Sequence, residues 1–214
     1  MASFRDRSDA GHRLVGPAAA VLPAGRPVTV VGLPRGGVLV GAALVEGLRA
    51  LGWTVRLDLV VVAKVLAPEF PELALGAVTA HATVRSATAG QVTGVDDARY
   101  AALTADARRR LADRAAALPE PGTPPDGSVL LVDDGLATGS TVEAAIAELR
   151  AGRPGWLGLA VPVADATAWA RVRPRVDGGV ALLQRTPMRA VSVDYGDFTQ
   201  LDDDVVRDAL TRWG

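Results

Sequence analysis

Apolar residues in this chain recur in two rhythms that alternate from one end to the other. The first is a set of short runs rich in Val, Leu and Ala: Val28 to Gly32, Leu57 to Val62, Val129 to Val132, Trp156 to Val161 and Gly179 to Leu183. Such runs, bounded by turn formers, predict strands buried on both faces of a parallel sheet. The second rhythm is helical. Leu14, Ala18 and Val21 or Leu22 fall at helical spacing within Phe4 to Leu22, where Asp9 is expected to cap and Pro17 to kink the helix. Helices are likewise predicted over Val38 to Ala50, from Asp96 through Leu118, from Thr141 onward, over Asp165 to Arg171 and over Asp202 to Trp213. Strand-helix alternation implies an α/β fold: a doubly wound, largely parallel five-stranded sheet with flanking helices. The chain reads as a single domain over 1–214, with its core at about 28–185 and a small cap made by the N-terminal helix and by residues 186–214.

Two stretches interrupt the rhythm. His81 to Asp97 holds short β-branched pieces broken by Gly90 and Gly94, which suits a hairpin or flap, and Pro119 to Gly127 reads as a loop within the domain. His81 is one of 2 His in the chain and has no partner at metal-ligand spacing.

The most informative polar pattern follows the run Val129 to Val132. Asp133 and Asp134 come at once, then Gly135-Leu136-Ala137-Thr138-Gly139-Ser140, then the helix that begins at Thr141. Backbone N–H groups of Thr138, Gly139, Ser140 and Thr141 at that helix start favour an anion, and Gly139 lets the backbone approach it closely. The hydroxyls of Thr138, Ser140 and Thr141 add donors. Paired carboxylates beside a phosphate need a sugar diol, a divalent metal or both between them, so the expected ligand is a sugar phosphate. An ordinary strand-helix turn with capping Ser and Thr is the plain alternative, but capping needs no acidic pair. A P-loop is excluded because no Gly-Lys-Ser/Thr occurs.

A second loop, Leu33-Pro34-Arg35-Gly36-Gly37, lies between the first strand and its helix. Arg35 offers a planar set of donors to diphosphate oxygens, and Gly36 and Gly37 permit close approach. Lys64 is expected at the carboxyl end of the Leu57 to Val62 strand, the edge at which parallel sheets collect ligands.

Composition removes several classes. With 214 residues, 49% of them hydrophobic, the chain can bury a full core. A net charge of −1 gives no general attraction to nucleic acid or anionic lipid. The absence of Cys removes disulfides, thiolate zinc sites and cysteine nucleophiles. Gly16 and Pro17 interrupt the Leu14 to Leu22 segment, unlike a signal peptide, and no long apolar run suggests a membrane span, so the expected location is cytoplasmic.

At Leu130 to Thr141 the chain resembles the type I phosphoribosyltransferases, whose signature is an apolar run, two acidic residues and a loop ending Thr-Gly-x-Thr. The resemblance implies transfer of a 5-phosphoribosyl group from phosphoribosyl pyrophosphate (PRPP) to a nitrogen acceptor, a nucleobase or related amine, with Mg²⁺ and with release of pyrophosphate. It assigns Asp133 and Asp134 to the ribose hydroxyls and the metal, and Ala137, Thr138, Gly139, Ser140 and Thr141 to the 5′-phosphate. Arg35, Gly36, Gly37 and Lys64 fall to pyrophosphate. From Ala67, Pro-Glu-Phe-Pro-Glu-Leu-Ala-Leu-Gly-Ala-Val resembles a bacterial subgroup of the family, although Ala63 stands where the subgroup has Arg. Catalytic roles then fall to Arg35, Lys64 and Glu72, with Glu72, Asp194 or Asp197 as general base, because Ala137 occupies the position at which hypoxanthine-guanine enzymes carry an acidic residue. Tyr195 and Phe198 resemble an acceptor wall, and Asp194 an acidic contact to base or metal. A homodimer is left open. Two other classes remain: a PRPP-binding regulator without transferase activity, and a receiver-like or phosphatase domain, whose acidic cluster normally starts on the first core strand.

Overall fold

The computed structural model describes residues 3–85, 94–120, 122 and 127–214, the side chains of 70–73 excepted. Five parallel strands form the main sheet: β1 (Val28–Gly32), β2 (Val55–Leu59), β6 (Ser128–Val132), β7 (Trp156–Asp165) and β8 (Gly178–Arg185), in the order β2-β1-β6-β7-β8. β1 and β6 lie side by side at the centre, with Gly32 opposite Val132, so the loops that follow them leave the same edge together. The expected parallel five-stranded architecture is present.

Helices cover both faces. On one face α1 (Arg7–Ala19), α2 (Gly36–Ala50) and α6 (Asp203–Trp213) bury Leu14, Leu44, Leu48 and Val206 against Val30, Leu57 and Leu130. On the other, α4 (Ser140–Ala151) and α5 (Ala166–Val172) pack Val142, Ile146 and Val172 against Leu131, Leu157 and Leu159. α1 begins at Asp6, whose side chain accepts from the Asp9 N–H at 2.8 Å, so the cap stands three residues earlier than expected and Asp9 lies in the first turn. Pro17 falls in the last turn and α1 runs past it to Ala19. A side chain at Gly11 would overlap the Val40 carbonyl of α2, so this glycine lets the two helices cross in close contact.

A second, antiparallel sheet departs from expectation. Residues Leu57 to Val62 do not form one strand: β2 ends at Leu59, and β3 (Ala63–Ala67) starts a new sheet with β4 (Phe70–Val78) and β5 (Thr83–Arg85). Val60 and Val61 are each 7% exposed, and a buried connecting segment carries the same apolar run as a continuing strand. α3 (Asp97–Ala116), capped by Asp96, covers this sheet. The terminal segments pair with each other: Phe4 bridges Tyr195, and the Gly196 N–H donates to the Phe4 carbonyl at 2.8 Å. Of the expected flap at His81 to Asp97, residues 86–93 lie outside the described residues. Among the described residues no helix is long and apolar enough to cross a membrane.

Glu148 of α4 joins the second sheet to the core. Its carboxylate accepts from the Thr79 hydroxyl at 2.6 Å and the His81 N–H at 2.9 Å, and lies 2.6 Å from His81 Nδ1. Burial alone would raise the Glu148 pKa, but the hydrogen bonds from Thr79 and His81 outweigh it and hold the group below its ordinary value. A lowered folded-state pKa adds stability above the ordinary carboxylate range, and that stability is lost as pH falls through the folded value. Glu148→Gln is therefore expected to lower Tm by a few degrees at neutral pH, with the deficit shrinking toward pH 3. Melts of both proteins across that range check this, and a pH-independent deficit would refute it.

Candidate active site

The loops after β1 and β6 meet at the centre of the sheet edge. The Leu33 N–H donates to the Val132 carbonyl at 3.0 Å, which docks the first loop onto the end of β6. A Cβ on Gly37 would fall 2.5 Å from the Val132 carbonyl and 2.9 Å from Asp133 Cα. A Cβ on Gly36 would overlap the Asp134 carboxylate. These two glycines bring the first loop onto the acidic pair. The second loop is pinned at its start, where the Leu136 N–H donates to the Val163 carbonyl at 2.8 Å and the Asp165 N–H donates to the Leu136 carbonyl at 2.7 Å.

Both loops end in a helix start whose N-cap residue, Arg35 or Gly139, makes no side-chain capping bond among the described residues. In contrast, α1, α3, α5 and α6 each begin with an Asp side chain that accepts from a first-turn N–H. In α4 the Glu143 N–H bonds to the Gly139 carbonyl at 2.9 Å, so Ser140, Thr141 and Val142 lie ahead of that helical bond. Gly139 takes φ +81, a left-handed conformation that side chains oppose. A Cβ there would lie 3.0 Å from Arg171 Nη2 and 3.3 Å from Val172 Cγ2, so it faces α5. Arg171 braces this loop by donating to the Thr138 carbonyl and, through Nε, to Glu143 Oε1 at 2.9 Å.

Electrostatics set the acidic pair apart. Burial, and then the neighbouring charge of Asp134, push the Asp133 carboxyl well above its ordinary value, against the pull of Lys64 and Arg7. Burial also raises Asp134, opposed by the Arg7 Nε, which donates to Oδ2 at 2.8 Å. The Tyr195 hydroxyl donates to the Asp134 carbonyl at 2.6 Å. Burial and the nearby Asp134 charge raise the phenol above its ordinary value, so it stays a neutral donor.

Several expected residues are placed differently from the sequence reading. Lys64 lies within β3, not at the end of β2, and is exposed, although its charge acts on Asp133. Arg35 is committed to the C-terminal segment, with Nε 2.9 Å from Asp203 Oδ1 and Nη1 donating to the Leu201 carbonyl. The Pro34–Arg35 peptide is cis. Tyr195 is 5% exposed, packed at a tilt between Phe4 and Phe198, and so is a buried brace beside Asp134 where an open acceptor wall was expected. The Phe198 ring is covered by Arg7, 3.8 Å from its centroid. Asp194 is not directed at the acidic pair: it pairs with Arg185 and accepts from the Ser3 hydroxyl at 2.9 Å, contacts that hold its pKa down. Asp197 is exposed and bonded to the Thr199 hydroxyl and N–H. The Glu72 side chain lies outside the described residues. A cavity of 960 Å³ lined by Leu59, Val61, His81, Arg108, Leu111 and Glu148 lies apart from both loops.

Residues 21–183 match the family model described as a phosphoribosyl transferase domain. A Mycobacterium tuberculosis protein with an inferred phosphoribosyl transferase name is 37% identical over 219 residues, covering 99% of this chain and 47% of its own length. The chain thus spans about half of that relative. The crystal structure of the protein TT1426 from Thermus thermophilus is 37% identical, with a TM-score of 0.76 over 100% of this chain and 99% of that one. The chain belongs to the phosphoribosyl transferase family.

Two substitutions test the site's physics without ligand. Asp133→Asn keeps the oxygen that accepts the Asp134 N–H at 2.9 Å and removes the charge. A raised folded-state pKa means stability is lost as pH rises through it. Asp133→Asn is therefore expected to raise Tm by a few degrees at pH 7, and an unchanged or lower Tm would contradict the desolvated pair. Gly139→Ala is expected to cost about 1–2 kcal/mol in urea unfolding from the left-handed φ alone.

Proposed function

We propose that this domain transfers a 5-phosphoribosyl group from PRPP to a nitrogen nucleophile, a nucleobase or related amine, and releases pyrophosphate. The observation that carries the reading is the meeting of two uncapped helix starts, each behind a glycine-bearing loop, at one half-buried acidic pair. Helix starts attract anions, and paired carboxylates accept from a vicinal diol, so the site suits an anion on each side of a ribose. In this reading Ala137 to Thr141 take the 5′-phosphate, while Gly36, Gly37 and the first turn of α2 take the pyrophosphate. Lys64 adds positive charge. Arg35 acts on the leaving group only after parting from Asp203, and otherwise anchors α6 to this loop.

The chemistry asks for charge placement more than for a reactive side chain. Positive charge grows at the anomeric carbon as the bond to pyrophosphate lengthens, and negative charge grows on the departing oxygens. Fixed carboxylates under the ribose and N–H donors at the leaving group stabilise both without reorganising. Among the described residues no group of three or more His, Cys, Asp or Glu forms a metal cage. Mg²⁺ is ordinarily held by one or two carboxylates with substrate oxygens and water, and Asp133 and Asp134 fit that donor set. When bound, it would neutralise charge on the pyrophosphate.

The test is a melt with Mg²⁺ and PRPP. At a hundredfold excess over Kd the ligand adds about 2.7 kcal/mol, which for a chain of this size is roughly 5–10 °C. The double substitution Asp133→Asn with Asp134→Asn is expected to abolish the shift while the protein remains folded. PRPP-dependent pyrophosphate release across nucleobases and amines then identifies the acceptor. No shift in the wild type would end the phosphoribosyl reading, and binding without turnover would favour a PRPP-binding regulator.

A further inference from the structure

Arg7 stands in the first turn of α1, far in sequence from every motif above, and its side chain ends inside the site. Nε donates to Asp134 Oδ2 at 2.8 Å, Nη1 donates to the Thr199 carbonyl at 3.1 Å, and the guanidinium lies over the Phe198 ring. The Arg7 side chain is 11% exposed and that of Asp134 17%. A side chain at Gly36 would also come within 2.8 Å of Arg7 Nε, so the first loop packs directly on the pair. The N-terminal helix, the loop after β1, the acidic pair and the C-terminal segment therefore converge on one guanidinium.

We propose that Arg7 is a positioning residue for the sugar-binding carboxylate: it fixes Asp134 Oδ2, so that Oδ1 is the oxygen offered to a ribose hydroxyl. The inference rests on the phosphoribosyl reading of the site. Three contacts use three features of arginine, since Nε, Nη1 and the flat face each have a different partner, and lysine supplies only a point charge. The ring beneath and the carbonyl beside the guanidinium fix its plane, which separates this pair from an exposed salt bridge that holds no geometry. Close crossing of α1 on α2 at Gly11 sets the helix that presents Arg7. The Tyr195 hydroxyl holds the backbone of the same aspartate by donating to the Asp134 carbonyl.

The experiment compares two phosphate monoesters by calorimetry: ribose 5-phosphate, which has the diol, and propyl phosphate, which has no hydroxyl. In Arg7→Met we expect ribose 5-phosphate to bind about tenfold more weakly, the worth of a hydrogen bond to a charged group, with propyl phosphate unchanged. A purely structural role would weaken both alike. In an Asp134→Asn background Arg7→Met should have no further effect on ribose 5-phosphate, because the carboxylate it positions is gone. Folded Arg7→Met with wild-type affinity for ribose 5-phosphate, or with equal loss for both ligands, overturns the assignment and leaves the phosphoribosyl reading standing. If Arg7→Met does not fold, Phe198→Leu takes its place: it removes the ring under the guanidinium and keeps both charges, and the same selective loss is expected, with its absence equally decisive. A wild-type protein that binds neither monoester overturns the phosphoribosyl reading and the Arg7 assignment with it.

Discussion

Two carboxylates on consecutive residues at the end of a buried strand repel each other, and shielding from water makes that repulsion hard to screen. Everything else at this sheet edge answers that constraint. β6 is buried along its length between β1 and β7, so Asp133 and Asp134 emerge from the middle of the sheet with neighbours on both sides. The first loop has glycine at both positions that touch them, since any side chain at Gly36 would strike the Asp134 carboxylate. Helix starts on either side bring partial positive charge without a side chain that could fill the space.

The remaining compensation comes from the chain termini. Arg7 arrives from α1, Tyr195 and Phe198 from the segment after β8, and these two segments are joined to each other through Phe4 and Gly196. The C-terminal segment also reaches the first loop through Arg35 and Asp203. A core cut at about 28–185 would hold the two motifs without the groups that fix them. The terminal segments are therefore as much a part of the site as the loops.

How much of this is legible in the sequence follows from the range of each interaction. The loop from Asp133 to Thr141 can be read because its strand, acidic pair, glycine and helix start are consecutive, and local backbone chemistry dictates their order. Gly36 and Gly37 are readable as positions of close approach, but their partners are not, since the acidic pair lies about a hundred residues on. Pattern alone puts Lys64 on the wrong strand, because buried Val60 and Val61 look like a continuing strand whether they pair in the sheet or cross to another. Tyr195 reads as an open wall because aromatic content does not reveal which side of a ring is covered. Arg7 carries no signal at all: an arginine behind a helix cap is ordinary, and only the crossing of α1 on α2 and the ring of Phe198 make it more than that.

The division of labour between the two carboxylates is itself informative. Had the protein given each aspartate its own arginine, the pair would be comfortable and closed, because a fully satisfied carboxylate has little to gain from a sugar hydroxyl or a cation. Had it given neither a partner, burial would push both toward the neutral acid, which accepts less well. Instead Asp134 is held by one guanidinium through one oxygen. Among the described residues Asp133 has its neighbour's N–H and more distant positive charge, and burial raises the proton affinity of both. The less compensated member is kept in an unfavourable state by the stability of the surrounding sheet. On the phosphoribosyl reading, a ligand that brings hydroxyl donors and a cation would relieve that state on binding.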